Sequence, residues 1–291
     1  MKKIAILSDI HGNAQALEAV LHDISKEQVN HIIIAGDHIG DGPEPNRVLK
    51  IIKNLSNTSI IKGNKEEYIL KLNNGLNQNW YDYNQFASII WTYKNISIEN
   101  LQFISEMKSE TTLQIMNKIK VRAVHGSPNK PNGIIDTNEE LVKIITDLQE
   151  DVLIYGHTHN SNFITMNNKF GINPGSVGLP LYKNSFAEYG ILEIERNKIV
   201  WKQKSIDYNK KEYVNKMEEN GLLAASPIWS NAIIDSIFSG ENVSLTFIHK
   251  AYKILKERDI ESQFIPNDIW NELGKNWNWK HNKIRITTSS T

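Results

Sequence analysis

Short apolar runs alternate with amphipathic segments over the first sixty residues of the chain. The apolar runs cover residues 3–8, 32–35 and 59–61, and polar residues bound each of them. Runs of this length and composition are typical of buried strands. Apolar residues recur at helical spacing between Asn13 and Ile24, and again over about 46–55. Strands that alternate with helices predict an α/β protein with parallel strands.

The middle of the chain has no strand pattern from about 66 to 110, where apolar residues lie at helical spacing. We therefore predict a helical insert between strands of the core. Strand patterns resume at 120–124 and 152–155. Three later segments predict a second sheet made of hairpins. They lie around 172, at 189–194 and at 199–204, with a turn at Asn197 and Lys198.

The chain becomes helical again from residue 209, and it ends in a tail that interleaves tryptophan with basic residues. The predicted helices cover 213–220, 228–238 and 245–257, and the tail covers 275–285. Such a tail could stack bases and follow a phosphate backbone. Because tryptophan more often docks an extension onto its own protein, we favour docking over nucleic-acid binding. The predicted organisation is a core of residues 1–208, with its insert at about 66–110, and a helical extension of residues 209–291 packed on that core.

The composition excludes several classes of protein. Lys and Arg total 33, as do Asp and Glu, so no net charge attracts nucleic acid or an anionic membrane. The chain has no cysteine, which rules out disulfides and thiolate chemistry and suits a reducing cytoplasm. The first apolar run stops at Ser8, short of the roughly 7–15 residues of a signal-peptide core. Since no stretch approaches the ~20 apolar residues of a membrane span, we expect a cytoplasmic protein without a membrane partner.

Polar side chains that can bind metals follow directly after five of the predicted strands. They occur in Asp9-x-His11, Gly36-Asp37, Gly63-Asn64, His125-Gly126 and Gly156-His157-Thr158-His159. Loops at the strand ends of an α/β sheet converge on one crevice, so these side chains are expected to lie close together. So many ionisable groups in one crevice would be costly without a compensating cation. The pattern therefore predicts a divalent-metal site.

The number of candidate ligands suits two metals. A pair of metals about 3.5–4 Å apart needs a bridging carboxylate and roughly three further protein ligands for each ion. Asp37 is the candidate bridge. Oxygen and nitrogen ligands without sulfur favour manganese, iron or zinc over copper(I) or calcium. We therefore predict two divalent ions, of manganese, iron or zinc, as cofactors.

The order of these motifs along the chain resembles that of the calcineurin-like metallophosphoesterase superfamily. The motifs are Asp9-x-His11, Gly36-Asp37-His38-Ile39-Gly40, Gly63-Asn64-Lys65-Glu66, His125-Gly126-Ser127-Pro128 and Gly156-His157-Thr158-His159. The segments Gly42-Pro43-Glu44-Pro45-Asn46 and Asn173-Pro174-Gly175-Ser176-Val177-Gly178 resemble the small bacterial and archaeal, phosphodiesterase-like branch. The resemblance covers about residues 1–205. It implies a four-layer α/β/β/α sandwich, with the metals at strand ends between the two sheets.

The resemblance also implies how the ligands divide between two metals. One metal would be bound by Asp9, His11, Asp37 and His159, and the other by Asp37, Asn64, His125 and His157. A hydroxide that bridges the metals would attack phosphorus in line, while the metals neutralise the phosphoryl oxygens. We therefore predict a dinuclear metal-dependent phosphoesterase whose substrate is a phosphate ester, with a phosphodiester favoured over a monoester.

Lys65 stands where many relatives have a histidine after the Gly-Asn pair. We assign it, with Asp37, Asn64 and His125, to the catalytic residues. A lysine offers a positive charge to a phosphoryl oxygen, but its ordinary pKa of about 10.4 makes it a poor proton donor at neutral pH. We therefore expect faster turnover of esters with acidic leaving groups than of alkyl phosphates. Ser127 is assigned, with Lys65, to substrate binding.

Three alternatives stay open on the sequence. Within enzymes, the substrate could be a serine/threonine phosphoprotein or a dinucleoside polyphosphate. From another class, the chain could be a scaffold that kept the fold and lost the chemistry, in the manner of the retromer subunit of the superfamily. Loss of activity usually removes ligands, and all seven are present here, which argues against the scaffold. We also expect the helical insert to cover part of the site and the C-terminal helices to lie beside it.

Overall fold

Ten strands form two five-stranded sheets in the computed structural model, which describes residues 1–116, 119–128, 130, 132–182, 184–196 and 198–281. The strands are β1 (Lys2–Leu7), β2 (His31–Ala35), β3 (Thr58–Ile61), β4 (Glu110–Ile115), β5 (Ile119–Val124), β6 (Val152–Ile154), β7 (Asn162–Met166), β8 (Lys169–Asn173), β9 (Ala187–Glu195) and β10 (Lys198–Ile206). The first sheet has the order β10-β9-β1-β2-β3 and the second the order β4-β5-β6-β8-β7.

Each sheet has parallel strands at its centre and antiparallel strands at one or both edges. Strands β1, β2 and β3 are parallel, and so are β5, β6 and β8. The hairpin β9–β10 extends the first sheet through an antiparallel pairing with β1, and β4 and β7 flank the second sheet. The expectation that the segments around 172, 189–194 and 199–204 share one sheet is therefore wrong. The hairpins divide between the two sheets.

The helices of the described residues cover the outer faces of the sheets and form the C-terminal extension. They are α1 (Ala14–Ser25), α2 (Pro45–Lys53), α3 (Asn64–Asn73), α4 (Ala87–Asn95), α5 (Ile98–Glu106), α6 (Asn138–Asp147), α7 (Lys210–Glu219), α8 (Leu222–Ala225), α9 (Pro227–Ser239), α10 (Val243–Glu257) and α11 (Asn267–Asn276). Two 3₁₀ turns, Gln78–Asp82 and Asn84–Phe86, lie within the insert. Among these described helices, none combines the length and the apolar character that crossing a membrane requires.

The side chains of the central strands alternate between two cores, because successive residues of a strand point to opposite faces. Ile6 and Ile33 are fully buried between the two sheets, where they meet Ala123 and Ile154 of the second sheet. Their neighbours point the other way, into the core under α1 and α2. On the far side of the second sheet, α6 covers a smaller core of its own. The result is the predicted four-layer α/β/β/α arrangement.

The C-terminal extension packs on the first sheet's helical layer. Tyr213 of α7 and Ile233 of α9 belong to the same buried cluster as the residues under α1. Helices α9, α10 and α11 also share a core of their own, centred on Phe247 and Trp270. The rings of Trp277 and Trp279 lie 5.0 and 5.8 Å from that of Phe247, between centroids. The described part of the tail, up to residue 281, therefore docks on the extension's own helices and not directly on the core of residues 1–208.

Local signals predicted some elements and missed others. The Asn13 side chain accepts a hydrogen bond from Ala16 N and caps α1. Strand β4 and helix α6 were not predicted; β4 carries half-exposed side chains and immediately follows the insert. Asn197 of the predicted turn and residues 282–285 of the tail lie outside the described residues.

Candidate metal centre

Seven candidate ligands converge where strands of both sheets end. Asp9 and His11 follow β1, Asp37 follows β2, Asn64 begins α3 after β3, His125 follows β5, and His157 and His159 follow β6. Six of them are buried, and His157 is half-buried. Parallel strands place their carboxyl ends at one edge, so residues far apart in the chain meet in one crevice.

Five of these ligands have a left-handed backbone. The φ angles of Asp9, His11, Asp37, His157 and His159 lie between 50° and 69°. L-residues adopt this region at a cost, and it persists where surrounding contacts impose it. Here Asp9 N donates to Gly36 O at 3.1 Å and His11 N to Asp37 O at 2.9 Å. These bonds hold the first ligand loop against the second.

The first group of ligand atoms comprises Asp9, His11 and His159, whose ligand atoms all lie within 4.8 Å of one another. The Nε2 atoms of His11 and His159 are 3.1 Å apart, and His159 Nε2 lies 3.3 Å from Asp9 Oδ1. His159 Nδ1 donates to Leu179 O at 2.7 Å, which orients Nε2 into the crevice.

The second group comprises Asp37, His125 and His157, again within 4.8 Å of one another. His125 Nε2 lies 3.3 Å from Asp37 Oδ1 and 3.0 Å from Asn64 Oδ1. His125 Nδ1 bonds to Ala35 O at 2.7 Å, so its ring is oriented as that of His159 is. The other oxygen of Asp37, Oδ2, lies 3.8 Å from His11 Nε2. Asp37 therefore presents one oxygen to each group.

The charges of the crevice fit a bound cation. Burial alone would raise the pKa of Asp9 and Asp37, but the neighbouring imidazoles outweigh it and lower both. Burial lowers the pKa of His125, yet Asp37 overcomes it and raises that pKa to about 10. Asp9 Oδ1 is buried and accepts no hydrogen bond from any described residue. Divalent metals bind carboxylates in the ionised form and imidazoles in the neutral form. A metal that binds here would displace the imidazole protons and use the ionised carboxylates directly.

Glu66 ties two of the ligand loops together. Its carboxylate accepts hydrogen bonds from Asp37 N at 3.1 Å, His38 N at 2.9 Å, Ile39 N at 3.2 Å and Gly63 N at 2.7 Å. The side chain is fully buried at the start of α3. One carboxylate thus satisfies four backbone donors from the loops after β2 and β3, which positions Asp37 relative to Asn64.

Lys65 is paired with an acid that we did not predict as part of the site. Lys65 Nζ lies 2.6 Å from Asp41 Oδ2, and the Asp41 side chain is buried. Asp41 Oδ1 also accepts from Trp229 Nε1 at 2.8 Å, and Asp41 Oδ2 lies 3.6 Å from His11 Nδ1. Asp41 thus links the predicted catalytic lysine, the candidate metal ligand His11 and the C-terminal extension.

A cavity of about 310 Å³ opens over the ligands. His11, Asp37, Asn64, His157 and His159 line one part of it. The C-terminal extension contributes other lining residues, on or near α9 and α10: Trp229, Asn242, Ser244, Leu245 and Ile248. Among the described lining residues, none comes from the insert at 66–110, which we expected to cover part of the site. The insert instead supports the site from behind, where Ser88 Oγ donates to Asp41 Oδ1 at 3.3 Å.

Ser127 lies outside this group of lining residues. Its hydroxyl donates to Lys130 O at 3.1 Å within the loop after β5. A role for Ser127 in substrate binding stays a prediction. Asp41 and Trp229 are the site residues that the sequence reasoning missed. An acid next to Gly40, in the loop that carries Asp37, was a usable signal for Asp41, whereas Trp229 gave none.

Residues 1–197 match the model of the calcineurin-like phosphoesterase superfamily domain, and the chain belongs to this superfamily of metal-dependent hydrolases of phosphate esters. The chain is 31% identical over 243 residues to the uncharacterized protein MJ0912 of Methanocaldococcus jannaschii. That match covers 75% of this chain and 93% of the relative.

Two further proteins extend the likeness. The phosphodiesterase YfcE of Escherichia coli K12 is 24% identical over 202 residues, which cover 66% of this chain and 88% of YfcE. The crystal structure of the hypothetical protein PH1004 from Pyrococcus horikoshii superposes with a TM-score of 0.71 at 22% identity. It covers 82% of this chain and 99% of PH1004. At this level of identity, the likeness to PH1004 shows the shared fold.

Proposed function

We propose that the protein hydrolyses a phosphate ester, with a phosphodiester favoured over a monoester, using two divalent metal ions. The observation that carries the proposal is the pair of ligand groups with Asp37 between them, one carboxylate oxygen toward each group. Membership of the superfamily and the similarity to a phosphodiesterase support it. The ligand atoms are oxygen and nitrogen, which favours manganese, iron or zinc.

The proposed ligands fall into two sets that share Asp37. The first set is Asp9, His11, Asp37 and His159, and the second is Asp37, Asn64, His125 and His157. When bound, two divalent ions activate a water molecule near neutral pH and neutralise charge on the phosphoryl oxygens. The protein's part is to hold the imidazoles and carboxylates in place. The imidazoles of His125 and His159 are oriented by hydrogen bonds to backbone carbonyls. The carboxylate of Asp37 is held by Lys65 N, which donates to its Oδ1 at 2.9 Å.

Lys65 contributes charge in this proposal and does not act as a proton donor. Burial by itself lowers its pKa, but Asp41 and then Asp37 outweigh that and raise it above the ordinary value. A lysine held protonated in this way supplies a positive charge, and its raised pKa makes it a weaker general acid than an imidazole at neutral pH. Leaving groups that depart as stable anions are therefore favoured.

This role predicts a strong dependence on the leaving group. Among aryl phosphodiesters of falling leaving-group acidity, kcat/KM should drop steeply, and alkyl esters should react slowest. In Lys65→Ala, kcat/KM should fall for every ester because a positive charge near the phosphoryl oxygens is lost. Equal rates for aryl and alkyl esters, or an undiminished rate in Lys65→Ala, would show that the lysine has another role.

The test of the function is hydrolysis of bis-p-nitrophenyl phosphate and p-nitrophenyl phosphate. Protein stripped by a chelator is refilled with manganese, iron, zinc or magnesium, and Asp37→Asn is measured alongside. Asp147→Asn, on the exposed face of α6, is the matched control. We expect metal to restore activity in the wild type and in the control. Activity should be at least about a hundredfold lower in Asp37→Asn. The restored activity should be higher on the diester than on the monoester. Stoichiometric metal binding without turnover of any ester would contradict the proposal and favour the scaffold.

A further inference from the structure

The cavity over the metal centre has apolar walls beside its polar one. Leu179, Leu181 and Tyr182 contribute from the core, and Trp229, Leu245 and Ile248 from the extension. The last three lie outside residues 1–197, which match the superfamily domain. The extension therefore adds to the site a surface that the superfamily domain does not itself supply.

Several of these apolar side chains are open to water. Leu245 is 42% exposed and Tyr182 44%, and Ile134, which also lines the cavity, is 53% exposed. Single exposed apolar side chains are normal on a protein surface. Three around one cavity, next to convergent polar groups, are typical of a small-molecule site. Their apolar surface would be removed from water by an apolar part of a ligand.

The charges of the lining oppose a substrate with several phosphates. Lys65 is the sole Lys or Arg among the described residues that line the cavity, and its ammonium is already shared between Asp41, 2.6 Å away, and the phosphate proposed at the metal centre. Asp136, also in the lining, adds a negative charge. A second phosphate beyond the reach of the metals would meet no further lysine or arginine among the described lining residues, and an uncompensated charge in such a cavity is costly.

The polar side chains of the extension's wall already have partners. Asn242 Oδ1 accepts from Leu245 N at 3.0 Å and from Ser244 Oγ at 3.2 Å, as the cap of α10. On the core side, Thr158 Oγ1 accepts from Asn173 Nδ2 at 3.0 Å. Apolar contact is therefore what these walls chiefly offer. The cavity volume, about 310 Å³, is at the lower end for small-molecule sites, which suits one small ester better than a polypeptide segment.

From these observations we infer that the substrate carries a single phosphate and a small apolar substituent, aryl or branched alkyl. The phosphate lies at the metal centre, and the substituent packs against Trp229, Leu245 and Ile248. The inference rests on the proposed function and narrows it. It selects against dinucleoside polyphosphates and phosphoproteins, and it assigns the preference for the apolar group to the C-terminal extension.

The test separates binding from turnover by using phosphonates, whose carbon–phosphorus bond a phosphoesterase does not hydrolyse. Binding of phenylphosphonate and methylphosphonate to the manganese-loaded protein is measured by calorimetry. We expect phenylphosphonate to bind about tenfold more tightly or better, the usual gain from an apolar group in a matching pocket. A methylene-bridged dinucleoside tetraphosphate, measured in the same way, is expected to bind more weakly than phenylphosphonate.

Leu245→Ser tests the wall, because the exposed side chain can change without disturbing the core. In this variant the ratio of the affinity for phenylphosphonate to that for methylphosphonate should fall about threefold or more, because apolar contact area is lost. Leu245→Met should keep most of the ratio. Ile260→Ser is the matched control, since Ile260 is 37% exposed in the same extension and does not line the cavity. It should leave the ratio as in the wild type.

The outcomes distinguish this inference from the proposed function. A wild-type ratio near one, or a ratio that Leu245→Ser does not change, overturns the inference even if nitrophenyl esters are hydrolysed. Tighter binding of the tetraphosphate overturns the single-phosphate part. In another outcome, the wild type prefers phenylphosphonate, with the preference reduced in Leu245→Ser, while it hydrolyses none of the esters. That result supports the inference about the ligand and overturns the proposed function.

Discussion

The ligand loops of the core and the helices of the extension are built in opposite ways around the same cavity. In the core, polar side chains are held by many short contacts with the backbone, such as the four bonds that Glu66 accepts. In the extension, apolar side chains of the regular helices α9 and α10 line the cavity. Trp229 Nε1, which donates to Asp41, joins that wall to the candidate metal centre.

This difference reflects two physical demands. Metal ligands must be fixed within fractions of an ångström, so each needs supporting contacts of its own. An apolar wall needs only shape and area, because the hydrophobic effect has no direction. Substitutions in the core should therefore change metal binding and stability, while substitutions in the extension should mainly change affinity for the organic part of the substrate.

The largest effect is expected from Glu66→Gln. The amide fills the same space, but its NH₂ group is itself a donor. It would face backbone N–H groups whose hydrogen bonds the carboxylate oxygen accepts in the wild type. Buried donors left unpaired should lower the free energy of unfolding by about 3 kcal/mol. Metal affinity should fall about tenfold or more, because the loops of Asp37 and Asn64 are no longer tied. Urea unfolding and metal titration measure the two effects.

Glu67→Gln is the control for that variant, on the same turn of α3. Glu67 accepts none of the four bonds that Glu66 makes. We expect its change in the free energy of unfolding to stay within about 0.5 kcal/mol. Equal effects of the two variants would show that the carboxylate of Glu66 does not organise the ligand loops.

A smaller effect is expected from Asp41→Asn, which keeps an acceptor for Trp229 and removes the charge opposite Lys65. The Lys65 side chain is 17% exposed, so water compensates part of the loss. We expect the free energy of unfolding to fall by about 2 kcal/mol, below the full cost of breaking a fully buried pair. A double-mutant cycle with Lys65→Met isolates the pairing. A coupling energy near zero would mean that the two charges act independently.

The smallest effect on stability is expected from Trp229→Phe, which removes the hydrogen bond to Asp41 and keeps an aromatic ring. The loss should be about 1 kcal/mol in the free energy of unfolding. Trp279→Phe is matched, since it loses a bond to Gly274 O at 2.9 Å and does not line the cavity. Both should unfold at similar urea concentrations. Only Trp229→Phe should raise KM for an aryl ester; equal KM values would remove Trp229 from the substrate wall.

Much of the fold was predictable because its signals are local. Apolar strands that alternate with helical segments predicted the α/β layers, and the ligand residues directly after those strands predicted which side chains meet in the crevice. The sheet to which a hairpin belongs was not predictable in this way. The sequence of β9 and β10 predicts that they pair with each other, but the pairing of Leu192 with Ile4 of β1 depends on contacts across the whole core.

The wall of the cavity was not predictable for the same reason. Trp229 lies 188 residues from Asp41 in the chain, and its helix is mostly buried, so its sequence indicates a packing helix and no site. Strand β4 was missed because an edge strand with half-exposed side chains has a weak pattern, and here it follows directly on helical residues. Non-local packing decides each of these features, whereas the ligand motifs were set by their immediate neighbours.

The left-handed backbone of five ligands has a consequence for how this site can change over generations. Glycine adopts those φ angles without strain, so a glycine at Asp9 or His157 would relieve on the order of 1 kcal/mol of local strain. The same replacement would also remove contacts of the ligand, such as the hydrogen bond that Asp9 Oδ2 accepts from His157 N at 3.1 Å. The strain that is relieved and the contacts that are lost oppose each other, so the ligand with the fewest contacts of its own is the one that genetic drift would replace most readily.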